Sequence, residues 1–229
     1  MKTSNKIILS FFLFAWLALM GTLLISFKMS DQKGYWVVDK IETEVKELEE
    51  FSVVVIEEAG VLQIKNSDKN RFEYTYATGG DVKPPKNNPI NEYQIRNDTL
   101  FIAHIQQASN GGFVLGVKDM KSISIKNSSE IEIVDFESDS LLVSSQNSKL
   151  KFTGSPSLDF LSLVSDDYFD LKFSELKGFG LTLRTNSLKL TGEIGPVSGK
   201  MGADSFLTIP QVVGKLAIDK PNTATISVE

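Results

Sequence analysis

Short pairs of apolar residues, two positions apart, recur at a nearly constant interval through the carboxy-terminal half of the chain. In one series, successive pairs start roughly 20 residues apart, a period typical of solenoids. The pairs of this series are Ile131/Ile133, Leu150/Phe152, Leu171/Phe173, Leu188/Leu190, Leu207/Ile209 and Ile226/Val228, and the interval from Leu171 to Leu188 is the shortest. A second series comprises Ile123/Ile125, Leu141/Val143, Leu161/Leu163, Leu181/Leu183 and, after a gap, Leu216/Ile218. A repeat of this length favours folds in which each unit stacks on the next.

Each repeat unit contains strands too short to be stable alone. Stacking would align the apolar pairs inside and leave Lys, Ser and Thr outside, as Leu150-Lys151-Phe152 illustrates. We therefore predict an all-β fold, a right-handed, single-stranded parallel β-helix (β-solenoid), for residues 50–229. A leucine-rich horseshoe has a similar period, but its L-x-x-L-x-L-x-x-N ladder is absent from the sequence. An antiparallel sandwich remains an alternative because its strands have similar spacing.

Before the repeat, period-two alternation predicts strands at residues 52–56, 61–64, 72–76 and 100–105. The polar residues 65–70 are predicted to form the turn between the second and third of these strands. Three prolines interrupt residues 78–93, which we predict to be a long surface loop and a candidate for ligand contact.

The amino terminus carries an uncharged apolar segment, residues 7–27, long enough for a helix of roughly 30 Å and hence for a membrane span. Lys2 and Lys6 precede this segment, so the amino terminus is expected to stay cytoplasmic. We predict a transmembrane signal anchor at residues 1–28, with a cleaved signal peptide as the alternative. Residues 29–49 are predicted to be a juxtamembrane linker or short helix, since Ile41, Val45 and Leu48 have helical spacing. An extension of the sheet is the alternative there.

Composition excludes several kinds of site. The chain has no cysteine, which rules out disulfides, thiolate metal sites and cysteine nucleophiles. Acidic residues outnumber basic ones, and the excess is larger beyond residue 28, because Lys2, Lys6 and Lys28 all flank the apolar segment. This negative surface argues against nucleic-acid binding.

An acidic cluster, Asp166, Asp167 and Asp170, is the strongest candidate for catalysis. Neighbouring aspartates serve as acid and base in pectin-hydrolysing β-helices, but the His-Gly and Arg-x-Lys elements of those enzymes are absent. Arg184, a candidate base for a lyase, has no acidic companion nearby in sequence. We therefore predict that the aspartates form a solvated turn between Val164 and Leu171.

The single histidine, His104, lies in a predicted strand, on the same face as Ile102, and is expected to be structural. The sequence contains no phosphate loop, zinc-protease, nucleophile-elbow or EF-hand motif. We assign no catalytic, cofactor-binding or metal-binding residue, and we expect no cofactor.

The strand and turn pattern of the domain resembles that of a known family. The resemblance rests on four sequence elements: Phe-x-x-Val-x-Ile at 51–56, a strand at 61–64, a polar turn at 66–69 and Asn-Asp-Thr-Leu-Phe-Ile at 97–102. In these the chain resembles the head GIN domain family, bacterial envelope proteins labelled auto-transporter adhesins, and the resemblance covers residues 50–228. It implies a β-helical fold and export, and it transfers no catalytic residue.

These observations predict a non-enzymatic, membrane-anchored binding or structural module that recognises a glycan or an envelope protein in an adhesin-like manner. The anchor would be a single span in a bacterial inner membrane, with the domain in the periplasm. A β-helix enzyme acting on polysaccharide and a self-assembling scaffold resembling bactofilins are the alternatives. Because residues 226–228 are followed by no obvious cap, we also expect either weak self-association through the last coil or coverage of its edge by the predicted loop at residues 78–93.

Overall fold

The computed structural model describes residues 3–29, 40–78, 93–105, 111–184 and 186–229, in an amino-terminal helical unit and a β unit. The helix α1 spans Thr3–Met29. Within it, Ile8–Ser26 has a mean hydropathy of 2.4 and is long and apolar enough to cross a membrane, a property that a signal sequence near the amino terminus shares.

The β unit contains eighteen strands among the described residues. They are β1 (Lys40–Glu47), β2 (Val53–Glu57), β3 (Val61–Asn66), β4 (Arg71–Thr78), β5 (Tyr93–Arg96), β6 (Thr99–Ala103), β7 (Gly111–Val117), β8 (Ser122–Lys126), β9 (Glu130–Val134), β10 (Glu137–Gln146), β11 (Leu150–Thr153), β12 (Ser157–Ser165), β13 (Phe169–Leu183), β14 (Ser187–Ile194), β15 (Val197–Met201), β16 (Phe206–Ile209), β17 (Leu216–Asp219) and β18 (Thr225–Val228). They confirm the predicted all-β solenoid, which has about six turns, here called windings.

One face of the solenoid, face 1, consists of parallel strands in the order β6, β2, β8, β10, β12, β13, β15, β17. Side chains at equivalent positions stack from one winding to the next, because parallel strands align in register. One such column is Leu100, Val54, Ile123, Val143, Leu163 and Leu181. All six are buried, so each apolar pair of the sequence contributes to one continuous core.

A second face, face 2, contains β7, β3, β9 and β11, followed by the first part of β13 and by β14, β16 and β18. A shorter third side carries the column Leu158, Leu176 and Ile194, which a bridge extends to Val213. Strands β10, β12, β13 and β14 are long because each continues around a corner between two sides. The windings in this part of the chain are therefore three-sided.

The register on face 2 corrects one pairing inferred from the sequence. The repeat aligns Leu171 with Leu188, whereas the structure pairs Leu171 with Leu190 and Phe169 with Leu188. With Leu190 as the partner, the step from Leu171 to the next winding equals the step from Leu188 to Leu207, and the irregular short interval disappears. The sequence was ambiguous because Phe169 and Phe173 flank Leu171 at the same two-residue spacing, so either apolar pair fits.

On face 1, the gap in the second series of apolar pairs corresponds to a strand that the repeat did not predict. Strand β15 fills the gap between Leu183 and Leu216 and pairs with β13, placing Gly199 between Leu181 and Ile218. Its Ser-Gly-Lys centre hides the alternation. An added Cβ at Gly199, whose φ is +148°, would lie 1.9 Å from the Leu181 carbonyl oxygen, so only glycine fits without displacement.

The amino-terminal end of the solenoid is stacked out of chain order. The winding β2–β3 lies between β6–β7 on one side and β8–β9 on the other. Antiparallel strands then extend the sheets outward, with β4 and β1 beyond β7 and β5 beyond β6. Stacked rings of Tyr74 and Phe113, with centroids 4.6 Å apart, fill the core at this end.

Residues 40–47 form the strand β1, so the prediction of a short helix in the linker is wrong for this part, and the sheet extension is correct. Pairing with β4 decides the conformation. It is reinforced by the Tyr76 hydroxyl of β4, whose single hydrogen is shared between the carboxylates of Glu42 at 3.2 Å and Glu44 at 3.0 Å on β1. Residues 30–39 and most of the predicted loop, residues 79–92, lie outside the described part of the chain.

Candidate ligand groove

A groove of about 710 Å³ lies on the outer side of strands β5 and β6. Its lining residues are Tyr93, Gln94, Arg96, Asn97, Thr99, Phe101, Ala103 and His104. The volume falls within the range of known small-ligand sites, roughly 300–1,000 Å³. We treat it as the candidate functional site.

A tight turn fixes the hairpin that carries the groove. Asn97 and Asp98 have φ values of +49° and +63°, the left-handed pair that a two-residue hairpin turn requires. The Asp98 carbonyl accepts hydrogen bonds from the backbone N–H groups of Ser52 and Val53, and the Ser52 hydroxyl donates to the Asp98 carboxylate. The hairpin is therefore anchored to β2 rather than free to swing.

The hairpin register brings the groove side chains to one surface. Gln94 lies opposite Phe101, and Arg96 lies opposite Thr99. Residues directly opposite each other in an antiparallel pair share a face, with Cβ atoms about 5 Å apart. The Phe101 side chain is 42% exposed on this surface, while its neighbours Leu100 and Ile102 point into the core.

Strand β6 ends at Ala103, so His104 lies just beyond the strand predicted to contain it. With a φ of +57°, His104 breaks the alternation and returns Ile105 to the core. Its Nδ1 lies 2.7 Å from the Glu58 carboxylate, and its side chain is 71% exposed at the groove. A positive φ at Glu58, Asn127 and Asn147 accompanies the same corner in the neighbouring windings.

The charges around the groove are unevenly paired. Arg96 is exposed and forms no ion pair with the described residues, whereas Arg71 and Arg184 both contact carboxylates. None of the described lining residues is acidic. The Asp98 carboxylate accepts a hydrogen bond from Ser52, and that of Glu58 contacts His104, which leaves Glu57, opposite Ala103, as the adjacent acidic side chain on β2.

The three aspartates considered for catalysis lie in different surroundings. Asp167 accepts hydrogen bonds from the Ser145 hydroxyl at 2.6 Å and the Ser148 N–H at 3.1 Å. Asp170 faces outward opposite Lys189 on face 2. The predicted solvated turn is thus only partly correct, because Asp167 ties two windings together.

Stacking also supplies the acidic companion that Arg184 lacks in sequence. Its Nη1 lies 3.4 Å from the carboxylate of Asp166, which belongs to the preceding winding. Among the residues that the structure describes, no group of three His, Asp or Glu side chains is arranged to hold a metal ion.

Sequence reasoning did not identify Arg96 and Phe101 as site residues. The available signal was an aromatic residue alternating with Leu100 and Ile102 in a strand that must bury one side only. Because Phe101 and Ala103 are apolar as well as Leu100 and Ile102, local alternation does not reveal which of the two sides faces solvent.

The sequence matches no protein-family model and shows no significant similarity to a curated protein. Structural comparison does find relatives of the fold. A protein of Bacteroides fragilis described as a "putative adhesin" aligns with a TM-score of 0.56 at 11% identity, over 83% of this chain and 98% of that one. Another protein given that description, from Parabacteroides distasonis, aligns with a TM-score of 0.45 at 11% identity, over 84% of this chain and 98% of its own. At 11% identity the likeness to the Bacteroides fragilis protein concerns the fold alone, which this chain shares.

Proposed function

We propose that this protein is an envelope binding module that recognises a glycan or an envelope protein through the groove on β5 and β6, without catalysis. The groove carries this proposal, because it combines an exposed aromatic ring with polar side chains on an anchored hairpin. The adhesin-like fold and the resemblance to the head GIN domain family support the same role.

We further propose that α1 is a single-pass anchor in a bacterial inner membrane, with the β unit in the periplasm. The apolar span Ile8–Ser26 supports the anchor, and the lysines that precede it support a cytoplasmic amino terminus. Alkaline carbonate should leave the intact chain in the membrane, and protease should digest the β unit only after the outer membrane is opened. Soluble protein lacking residues 1–28 would contradict the anchor.

Binding can be tested with the full chain in detergent and purified envelope polysaccharide and protein fractions. Phe101→Ala removes the exposed ring of the groove, and we expect it to abolish saturable retention of the bound fraction. Leu142→Ala is the matched control, since Leu142 is 45% exposed on the outer side of face 1 but does not line the groove. Equal retention by both variants, or release of new reducing ends from the polysaccharide, would contradict the proposal.

A further inference from the structure

Resting on the proposed binding role, we infer that the groove on β5 and β6 takes a carboxylate-bearing saccharide, with Arg96 binding the carboxylate and Phe101 packing against a sugar ring. The inference depends on the exposed guanidinium, which has no ionic partner among the described residues, on the exposed ring and on the neutral polar groups that surround them.

Arg96 is suited to a carboxylate by its chemistry and by its position. A guanidinium binds a carboxylate through two parallel N–H donors, a geometry that lysine cannot reproduce. The Asn97–Asp98 turn follows Arg96 directly, and its hydrogen bonds to Ser52 fix the backbone from which the guanidinium projects. An exposed arginine on a fixed backbone, which no carboxylate of the described residues neutralises, is available to an anionic ligand.

Phe101 and the polar lining residues are the reason for proposing a saccharide as the ligand. An exposed aromatic ring presents a flat apolar surface to the C–H groups on one side of a sugar ring. The Gln94 amide lies beside it and can both donate and accept hydrogen bonds, and the Thr99 hydroxyl, which donates to the Asn97 carbonyl at 3.4 Å, can accept one. Both match a ligand rich in hydroxyl groups. A groove with an arginine, an aromatic ring and several neutral donors fits an acidic sugar better than an extended acidic peptide.

The negative charge of the molecule as a whole does not prevent such binding. Charges farther away than about 8 Å are largely screened at physiological ionic strength, so the groups lining the groove decide which ligands are attracted. The carboxylates of Asp98 and Glu58 have hydrogen-bonding or ionic partners in the protein. Among the residues that the structure describes, Glu57 is the acidic side chain that remains beside the groove, opposite Ala103 and toward the end distant from Arg96.

The test uses the full chain in detergent, a galacturonate oligosaccharide and its methyl ester, which has the same sugars without the charge. We expect the wild type to bind the acid at least about tenfold more tightly than the ester, the equivalent of losing one ion-paired contact. Arg96→Gln should abolish this preference, and Phe101→Ala should weaken binding of both compounds. Arg184→Gln is the matched control, because it removes an arginine located on another winding.

The remaining outcomes distinguish failure of the Arg96 assignment, of the saccharide assignment and of the binding function. Equal affinity for the acid and the ester, both sensitive to Phe101→Ala, would overturn the assignment of Arg96 while leaving the proposed binding function intact. Free acetate competing as well as the oligosaccharide, or preferential binding of a phosphorylated peptide, would overturn the saccharide assignment. Retention of envelope fractions that none of the groove variants affects would refute the proposed binding function itself. Circular dichroism of every variant confirms that the β unit has folded.

Discussion

Gly199 holds a backbone conformation in the column between Leu181 and Ile218 that other residues adopt only with strain. Gly199→Ala would place a methyl group against the Leu181 carbonyl, so we expect a loss of at least about 1–3 kcal/mol in the free energy of unfolding. Gly112→Ala is the control, since an added Cβ there meets no atom within 4 Å. Denaturant unfolding should separate the two variants, and equal midpoints would contradict the tight packing of β15 on β13.

The ion pairs of Glu130 predict how the stability of the protein changes at acidic pH. The ammonium groups of Lys149, at 2.7 Å, and Lys151, at 2.6 Å, lower the pKa of its carboxyl to about 2. Because the unfolded carboxyl titrates near pH 4.3, the stabilisation from this ion pair is complete above that pH and is lost as the pH falls from about 4.3 through 2. The Glu130→Gln variant lacks this ion-pair stabilisation already at neutral pH. It should therefore lose less stability than the wild type as the pH falls from about 4.3 to 2.

The measurement is the thermal midpoint of the wild type and of Glu130→Gln from pH 7 to pH 2. The control is Glu132→Gln on the same strand, which removes a carboxylate that accepts a hydrogen bond from the Gln63 amide and acts on Lys151 without an ion-pair contact. We expect the difference between wild type and Glu130→Gln to shrink on acidification. A difference that is constant with pH would show that the lysines do not stabilise the folded carboxylate.

One exposed aromatic side chain, Phe160, covers two glycines in a neighbouring strand of face 1. The Phe160 ring on β12 lies over Gly178 and Gly180 of β13, where added Cβ atoms would approach it at 2.9 and 3.2 Å. Strand glycines lack a side chain to pack, and a neighbouring ring that covers them restores contact across the strands. Phe160 thus stabilises the pairing of β12 with β13 although it is 43% exposed.

Phe160→Ala should accordingly lower the free energy of unfolding by roughly 0.2–1 kcal/mol more than Leu142→Ala. Leu142 is 45% exposed on the same outer surface but opposes Ser122 and Ser162 rather than glycine. Chemical denaturation in parallel tests the difference. Equal destabilisation by the two substitutions would mean that Phe160 contributes only its own buried area.

The strands predicted from alternating apolar residues, at 52–56, 61–64, 72–76 and 100–105 and within the repeat, are confirmed by the structure, whereas β5, β7 and β15 were not predicted. Single residues explain the missed strand β15 and the early end of β6. Gly199 interrupts the pattern of β15, and the positive φ of His104 ends β6 before the predicted boundary at residue 105. Strand β1 has a sequence compatible with a helix, and only its pairing with β4 determines its conformation.

For the molecule as a whole, the order in which the windings stack could not be predicted from local sequence patterns. Sequence neighbours are expected to stack in order, yet β2 is enclosed by β6 and β8, with β3 likewise between β7 and β9. This arrangement places β5 and β6 at the end of face 1, where Phe101 and Arg96 both line the groove. The groove is therefore a consequence of topology, which explains why residue patterns alone did not reveal it.

The central structural claim is that consecutive windings run parallel in a fixed register, with Leu171 beside Leu190 and Leu188 beside Leu207. Because the chain has no cysteine, pairs of introduced cysteines can report this directly. Outward positions that face each other are Lys172 and Thr191, Lys189 and Thr208, and Thr208 and Ser227. Parallel neighbours lie about 4.8 Å apart, within the Cα separation that a disulfide spans.

Oxidation of the double-cysteine variants is the decisive measurement. All three facing pairs should form intramolecular disulfides. Cysteines at 172 and 189, the alignment that the sequence repeat alone suggests, should not, since two positions of stagger separate their Cα atoms by roughly 8 Å. That result would establish both the parallel direction and the register. Efficient cross-linking of 172 with 189, together with failure of the facing pairs, would contradict the solenoid described above.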